Sequence, residues 1–176
     1  GVMVTHGNIL QNSEVIRVGF GHDAHSVFVS WLPVFHDMGL IGKVIQPLYV
    51  GVPSVLMEPA AFLQKPVRWL RAITRYRGTT SGAPNSAYEL CVRKVSESDR
   101  QGLDLSSWES AFNGAEPVRA STLERFREAF TPHGLRPEFL RPCYGMAETT
   151  LLVSIGPLGL AAAVWAQDGA RWVSSG

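Results

Sequence analysis

The chain has 176 residues, 16 of them Lys or Arg and 15 Asp or Glu, and its net charge of +1 is spread without a long run of either sign. That balance excludes the basic footprint of a nucleic-acid or anionic-lipid binder. The length allows one domain that buries roughly 70% of the surface its unfolded form exposes, but no second full domain. Cys91 and Cys143 form no CxxC or Cys/His ligand spacing, so neither a zinc site nor a disulfide framework is indicated, and a reducing cytoplasm fits. Apolar runs such as Val44 to Leu56 are broken by Gln46, Pro47, Gly51 and Pro53, so no membrane span is expected. With no initiator Met and no basic-then-apolar opening segment, the chain reads as a piece of a longer protein.

In chain order, Ile9, Ser13, Ile16 and Phe20 recur at helical spacing after a cap at Thr5 or Asn8, which predicts a helix to about Val18, ended by Gly19 and Gly21. Ser26 to Trp31 is short and apolar on both faces, the pattern of a buried parallel strand. Met38 to Tyr49 reads as a mostly buried helix and Pro53 to Met57 as a returning strand, completing a βαβ unit. Pro66 opens a helix that ends at Gly78, and Thr79-Thr80-Ser81 is the next strand. Ser86 with Glu89 has the spacing of a capping box ahead of Tyr88, Cys91, Val92 and Val95, while Ser96 to Gln101 reads as an exposed loop. Trp108 to Phe112 predicts a strand, Pro117 a helix carrying Leu123, Phe126 and Phe130 inward, and Phe139 to Cys143 the last buried strand.

Strands separated by such helices imply an α/β fold, a mainly parallel sheet with helices on both faces. Ligands of these sheets sit outside the C-terminal strand ends. His36, Asn85, Gly114 and Tyr144 each follow a predicted strand, so all four are expected at one rim. Within Arg141-Pro142-Cys143-Tyr144-Gly145-Met146-Ala147-Glu148, Tyr144 offers a face for a nucleobase, Gly145 lets backbone approach a ligand, and Glu148 supplies an oxygen suited to magnesium. The plain alternative is an ordinary turn with a half-buried aromatic. His36 beside Asp37 could be a general base, a metal ligand or a polar group that orients a carboxylate, or could simply satisfy loop backbone. His22-x-x-His25 lacks a third ligand nearby and reads as solvated loop, His6 and His133 read as surface or cap residues, and no GxxxxGK[ST] loop is present.

Three stretches, Leu32-Pro33-Val34-Phe35-His36-Asp37-Met38-Gly39-Leu40, Asn113-Gly114-Ala115-Glu116-Pro117-Val118 and the one around Tyr144, together resemble the adenylate-forming acyl ligases, most closely the fatty-acyl-AMP ligases. The opening Gly1-Val2-Met3-Val4-Thr5-His6-Gly7-Asn8 is similar to the segment after that family's phosphate loop, so the resemblance covers nearly the whole chain, residues 1–176, as part of one N-terminal ligase domain. It implies that a fatty acid and ATP form an acyl adenylate and pyrophosphate with Mg2+, the acyl group passing to an acyl carrier protein or a polyketide synthase carrier domain. An acyl-CoA ligase, or a non-catalytic binding domain that kept the fold, are the alternatives.

Residue by residue, the resemblance gives His36 the aiming of the acyl carboxylate and Gly114, Ala115, Glu116, Cys143, Tyr144, Gly145 and Met146 the nucleotide. It gives Glu148 the magnesium. Ser81, Gly82, Ala83, Asn85 and Tyr88 resemble the lining of the acyl tunnel, with Gly82 and Ala83 leaving space there. Residues 154–176, rich in Gly and Ala, are similar to the insertion that marks acyl-AMP ligases. The phosphate loop, a later ribose-binding aspartate and a C-terminal lysine are absent, so little turnover is expected of these residues by themselves.

Overall fold

The computed structural model describes residues 1–157, 165–168 and 171–174. The order is α1 (His6–Phe20), β1 (Phe28–Ser30), α2 (Asp37–Leu40), a π-helical turn (Ile41–Ile45), α3 (Gln46–Val50), β2 (Ser54–Leu56), α4 (Pro59–Gln64), α5 (Val67–Tyr76), β3 (Thr80–Ala83), α6 (Asn85–Lys94), α7 (Glu97–Arg100), β4 (Ser110–Asn113), α8 (Ala120–Phe130), β5 (Leu140–Gly145), β6 (Leu152–Ile155), β7 (Trp165–Asp168) and β8 (Arg171–Ser174). Six strands form one sheet in the order β2-β1-β3-β4-β5-β6. The first five run parallel and β6 is antiparallel to β5. The expected α/β fold is therefore present. β7 and β8 pair as a separate antiparallel ribbon, while the rest of the segment read as an insertion, residues 158–164, 169–170 and 175–176, lies outside the described residues.

Alternation along the strands divides the sheet into two faces. On one face lies an aromatic cluster centred on Trp69 of α5, with Trp31, Phe62, Tyr88 and Trp108 around it. On the other, Phe28, Thr80 and Phe112 face a cavity together with Ile16 and Phe20 of α1. Helices cover both sides, so the central strands β1, β3 and β4 are buried along their whole length.

Local chemistry explains where the elements depart from expectation. Thr5 does cap α1, its hydroxyl accepting from the Asn8 N–H while the Asn8 side chain accepts from the Thr5 N–H. The expected capping box at Ser86 does not form: Pro84 takes the cap position, and Glu89 instead binds Thr122 and Arg125 of α8. Ser96 caps a short helix where a loop was expected. α8 begins at Ala120, three residues after Pro117, and its buried face is Thr122, Phe126 and Phe130. α4 was not anticipated, because six residues with only Phe62 buried are too short to show a period.

The helix expected over 38–49 is not uniform. Pro47 has no N–H to give the carbonyl of Lys43 one turn earlier, and that carbonyl accepts the Ser54 hydroxyl instead, at 2.8 Å. The preceding turn widens to π geometry over Ile41–Ile45, with Lys43 at its centre. Single π turns of this kind recur at functional sites.

Candidate functional site

A cavity of about 210 Å3 opens at the C-terminal rim of the parallel strands and runs down the face of the sheet beneath α1 and the π turn. Its rim carries His36 from after β1, Ala115 from after β4, and Cys143, Tyr144, Gly145 and Met146 from the end of β5 and just beyond. Its depth is set by Phe20, Phe28 and Phe112, with His22 and Lys43 among them.

His36 caps α2, and its Nδ1 lies 2.7 Å from Asp37 Oδ1. Asp37 also accepts the Met38 N–H at 2.6 Å. The Met38 N–H also points at His36 Nδ1 but lies farther off, at 3.2 Å; the shorter contact to Asp37 assigns the Nδ1 proton to the carboxylate, so Nε2 is the nitrogen available to a ligand. Tyr144 is 55% exposed and presents its ring at the rim. Ala115 sits at φ +67°, a left-handed conformation that a side chain disfavours. Strain of this kind collects where structure over-determines a ligand contact. Gly145 has its close approach to the protein's own backbone: a Cβ there would lie 2.1 Å from the Leu151 carbonyl oxygen, so the β5–β6 connection folds this tightly only with glycine.

The other residues named from sequence sit elsewhere. Gly114 packs on Cys143, and the Glu116 carboxylate accepts the Ser86 N–H. Glu148 is exposed on a 3-10 turn beside a second, shallower cavity lined by Met3, Asn8 and Asn12. No ion pair or hydrogen bond among the described residues engages its carboxylate, and no group of three His, Cys, Asp or Glu there could by itself hold a metal. A lone free carboxylate still suits magnesium, which keeps waters and takes phosphate oxygens for most of its shell.

Ser81, Gly82, Ala83, Asn85 and Tyr88 do not line the cavity. Ser81 accepts from Trp69 Nε1 at 2.8 Å and donates to the Val29 carbonyl at 2.6 Å. Asn85 accepts the Arg119 N–H at 3.1 Å and ties β4 to α8 through Asn113 and Thr122. Ala83 is fully buried in β3. The Tyr88 hydroxyl donates to the Phe112 carbonyl at 2.7 Å, and the space over Gly82 is filled by Phe112, whose ring would come within 2.4 Å of a Cβ there.

His22 and Lys43 were missed as site residues. His22 is 3% exposed rather than solvated, and burial, helped by the charges of Lys43 and Arg141, pushes its pKa down to about 3. Lys43 is 1% exposed, and burial pushes it down to about 7. A lone lysine in a helix otherwise read as buried was the available signal. The Cys143 thiol, pushed up to about 11 by burial, is neutral and offers neither an anion, and Asp37, the carboxylate that lines the cavity, is engaged by His36.

The His22 shift has a consequence for stability. An unfolded histidine binds a proton below its ordinary 6.5 whereas folded His22 does not until about 3. Stability is therefore held above pH 6.5 and lost as pH falls through that window, by about 1.4 kcal/mol per pH unit for one proton. Urea titration at pH 7 and pH 5 is expected to show about 2 kcal/mol of loss, and His22→Leu is expected to remove that share of it.

Three loops at the ends of parallel strands thus form the rim of one mainly apolar cavity, at the sheet edge where ligands of such folds bind. The chain belongs to the AMP-binding enzyme family, whose model matches residues 1–171. It is 50% identical over 156 residues to the medium-chain-fatty-acid–acyl-carrier-protein ligase TtuA of Teredinibacter turnerae, covering 89% of this chain and 24% of that protein. It is 42% identical over 159 residues to the long-chain-fatty-acid–AMP ligase FadD26 of Mycobacterium marinum, covering 88% of this chain and 27% of that one. The fold matches a fatty acyl-adenylate ligase from L. pneumophila, solved with acyl adenylate and pyrophosphate, at TM-score 0.91 and 49% identity over 94% of this chain and 29% of that one. The chain spans about a quarter of the length of the curated relatives it matches.

Proposed function

We propose that the complete protein carrying this chain activates a fatty acid with ATP to an acyl adenylate and pyrophosphate, and passes the acyl group to the thiol of an acyl carrier protein or a polyketide synthase carrier domain. The observation that carries this is the meeting of His36, Ala115 and Tyr144, from three separate strand ends, on one mainly apolar cavity. The relatives named above are ligases of fatty acids, which supports the same reading.

The acid enters as its carboxylate, so the site needs no base; it needs alignment of one carboxylate oxygen with the α-phosphorus. His36, held at Nδ1 by Asp37, directs Nε2 toward that carboxylate. Tyr144 stacks on the adenine, while backbone at Gly114, Ala115 and Glu116, with Cys143, Gly145 and Met146, shapes its edge. Glu148 would hold magnesium, which would offset the phosphate charge. Ser81, Gly82, Ala83, Asn85 and Tyr88 act on the acyl chain at one remove, by fixing Phe112 and the strands beneath the wall. A cytoplasmic setting suits the free cysteines Cys91 and Cys143.

Fatty-acid-dependent exchange of pyrophosphate into ATP by the complete protein tests the first half, and its absence with every straight-chain acid would refute it. Offering carrier protein and CoA together tests the second. Acylation of the carrier is expected, and acylation of CoA alone would place the protein with acyl-CoA ligases.

A further inference from the structure

Resting on that reading, we propose that Lys43 and His22 form an acceptor-binding end to the acyl cavity, selecting acids that carry a second carboxylate at the far end of the chain. An apolar pocket for a plain alkyl tail needs no polar lining, yet two polar groups are buried in this one. Lys43 Nζ lies 5.1 Å from the centroid of the Phe28 ring and 4.3 Å from that of Phe112. Among the described residues no carboxylate or carbonyl pairs with it. The charged and titratable groups that share the cavity are His22, His36, Asp37, Cys143 and Tyr144. The carboxylate of Asp37 is taken by His36 and the Met38 N–H.

His22 lies against the same Phe28 ring, 4.7 Å between centroids. Its tautomer follows from its neighbour. Gln46 Nε2 donates to the Ser13 carbonyl at 3.0 Å, which fixes that atom as the amide nitrogen, and the same nitrogen lies 3.5 Å from His22 Nδ1. Nδ1 is then the acceptor and Nε2 bears the hydrogen. That N–H is buried with no partner.

Two donors thus face one cavity: Lys43 has only the faces of Phe28 and Phe112 to receive its charge, and the His22 Nε2 hydrogen is buried with no partner, which calls for an explanation. Lys43 also sits at the centre of the π turn that precedes Pro47, a local geometry that recurs at functional sites. A ligand carboxylate at that depth accepts from both groups and supplies the missing anion. A second carboxylate is favoured over a neutral oxygen because it alone compensates the ammonium.

The test uses the complete protein, straight-chain monocarboxylic acids of six to ten carbons, and the dicarboxylic acid of each length. Pyrophosphate exchange gives kcat/KM for every acid, and calorimetry gives binding without ATP. A dicarboxylic acid is expected to be preferred over its monocarboxylic partner by about tenfold or more, the size of a charge-assisted hydrogen bond. Lys43→Met is expected to reverse that preference by improving the plain acids and weakening the dicarboxylic ones, and His22→Leu to reduce it. Equal use of both series, or a preference unmoved by Lys43→Met, overturns the proposal while leaving fatty-acid activation standing. Exchange with neither series refutes the activation reading, and calorimetry then decides Lys43 alone: dicarboxylate binding lost in Lys43→Met sustains the acceptor site, and no such binding ends it.

Discussion

Trp69→Ala is expected to destabilise the domain by about 3–5 kcal/mol, against the roughly 5–15 kcal/mol that a folded domain typically holds. Trp69 is wholly buried, and its ring meets Trp31, Phe62, Tyr88 and Trp108 edge to face, with centroids 5.3–6.3 Å away. It therefore joins α4, α5 and α6 to the strands of the sheet. Its Nε1 hydrogen bond to Ser81 Oγ is the second loss, since the serine still donates to Val29 but is left unmet as an acceptor. Urea unfolding followed by circular dichroism reads the change directly. Leu48→Ala, at a side chain that is 76% exposed, is the comparison and is expected to move stability by less than about 0.5 kcal/mol.

Tyr144→Ala is expected to raise KM for ATP by roughly tenfold to a hundredfold, matching the 1–3 kcal/mol that a stacked base loses when its aromatic platform is removed. Stacking is present before and during the reaction alike, so kcat should fall much less than kcat/KM. Stability should be unchanged, because the ring is more than half exposed at the end of β5. Tyr144→Phe keeps the platform and should retain most of the affinity. A stability loss comparable to that of Trp69→Ala would instead mark Tyr144 as a packing residue.

The sheet was legible because its signals are local and mutually consistent. Val27-Phe28-Val29 and Ala111-Phe112 are apolar runs closed by Pro33 and Gly114, and each is followed by a helix with its own period. Strand order then placed His36 and Tyr144 at one rim without any knowledge of side-chain contacts. The floor of the cavity was not legible. Lys43 faces Phe28 and Phe112 from a π turn that no sequence period announces, and His22 is packed by Phe20, Phe28 and Gln46, which come from three separate elements. Ser81, Asn85 and Tyr88 look equally polar in sequence, but their partners Trp69, Thr122 and Phe112 lie 12, 37 and 24 positions away. Polar residues consumed by long-range hydrogen bonds cannot be told from polar residues free for a ligand until those bonds are seen.

The shared rim is tested most directly by photolabelling the complete protein with 8-azido-ATP and mapping the modified peptides. Label is expected on the segments after β4 and at the end of β5, residues 113–117 and 141–149, with protection by unlabelled ATP and a sharp reduction in Tyr144→Ala. Label concentrated on the opposite, N-terminal edge of the sheet, around residues 23–27 or 106–109, and indifferent to Tyr144, would contradict the site.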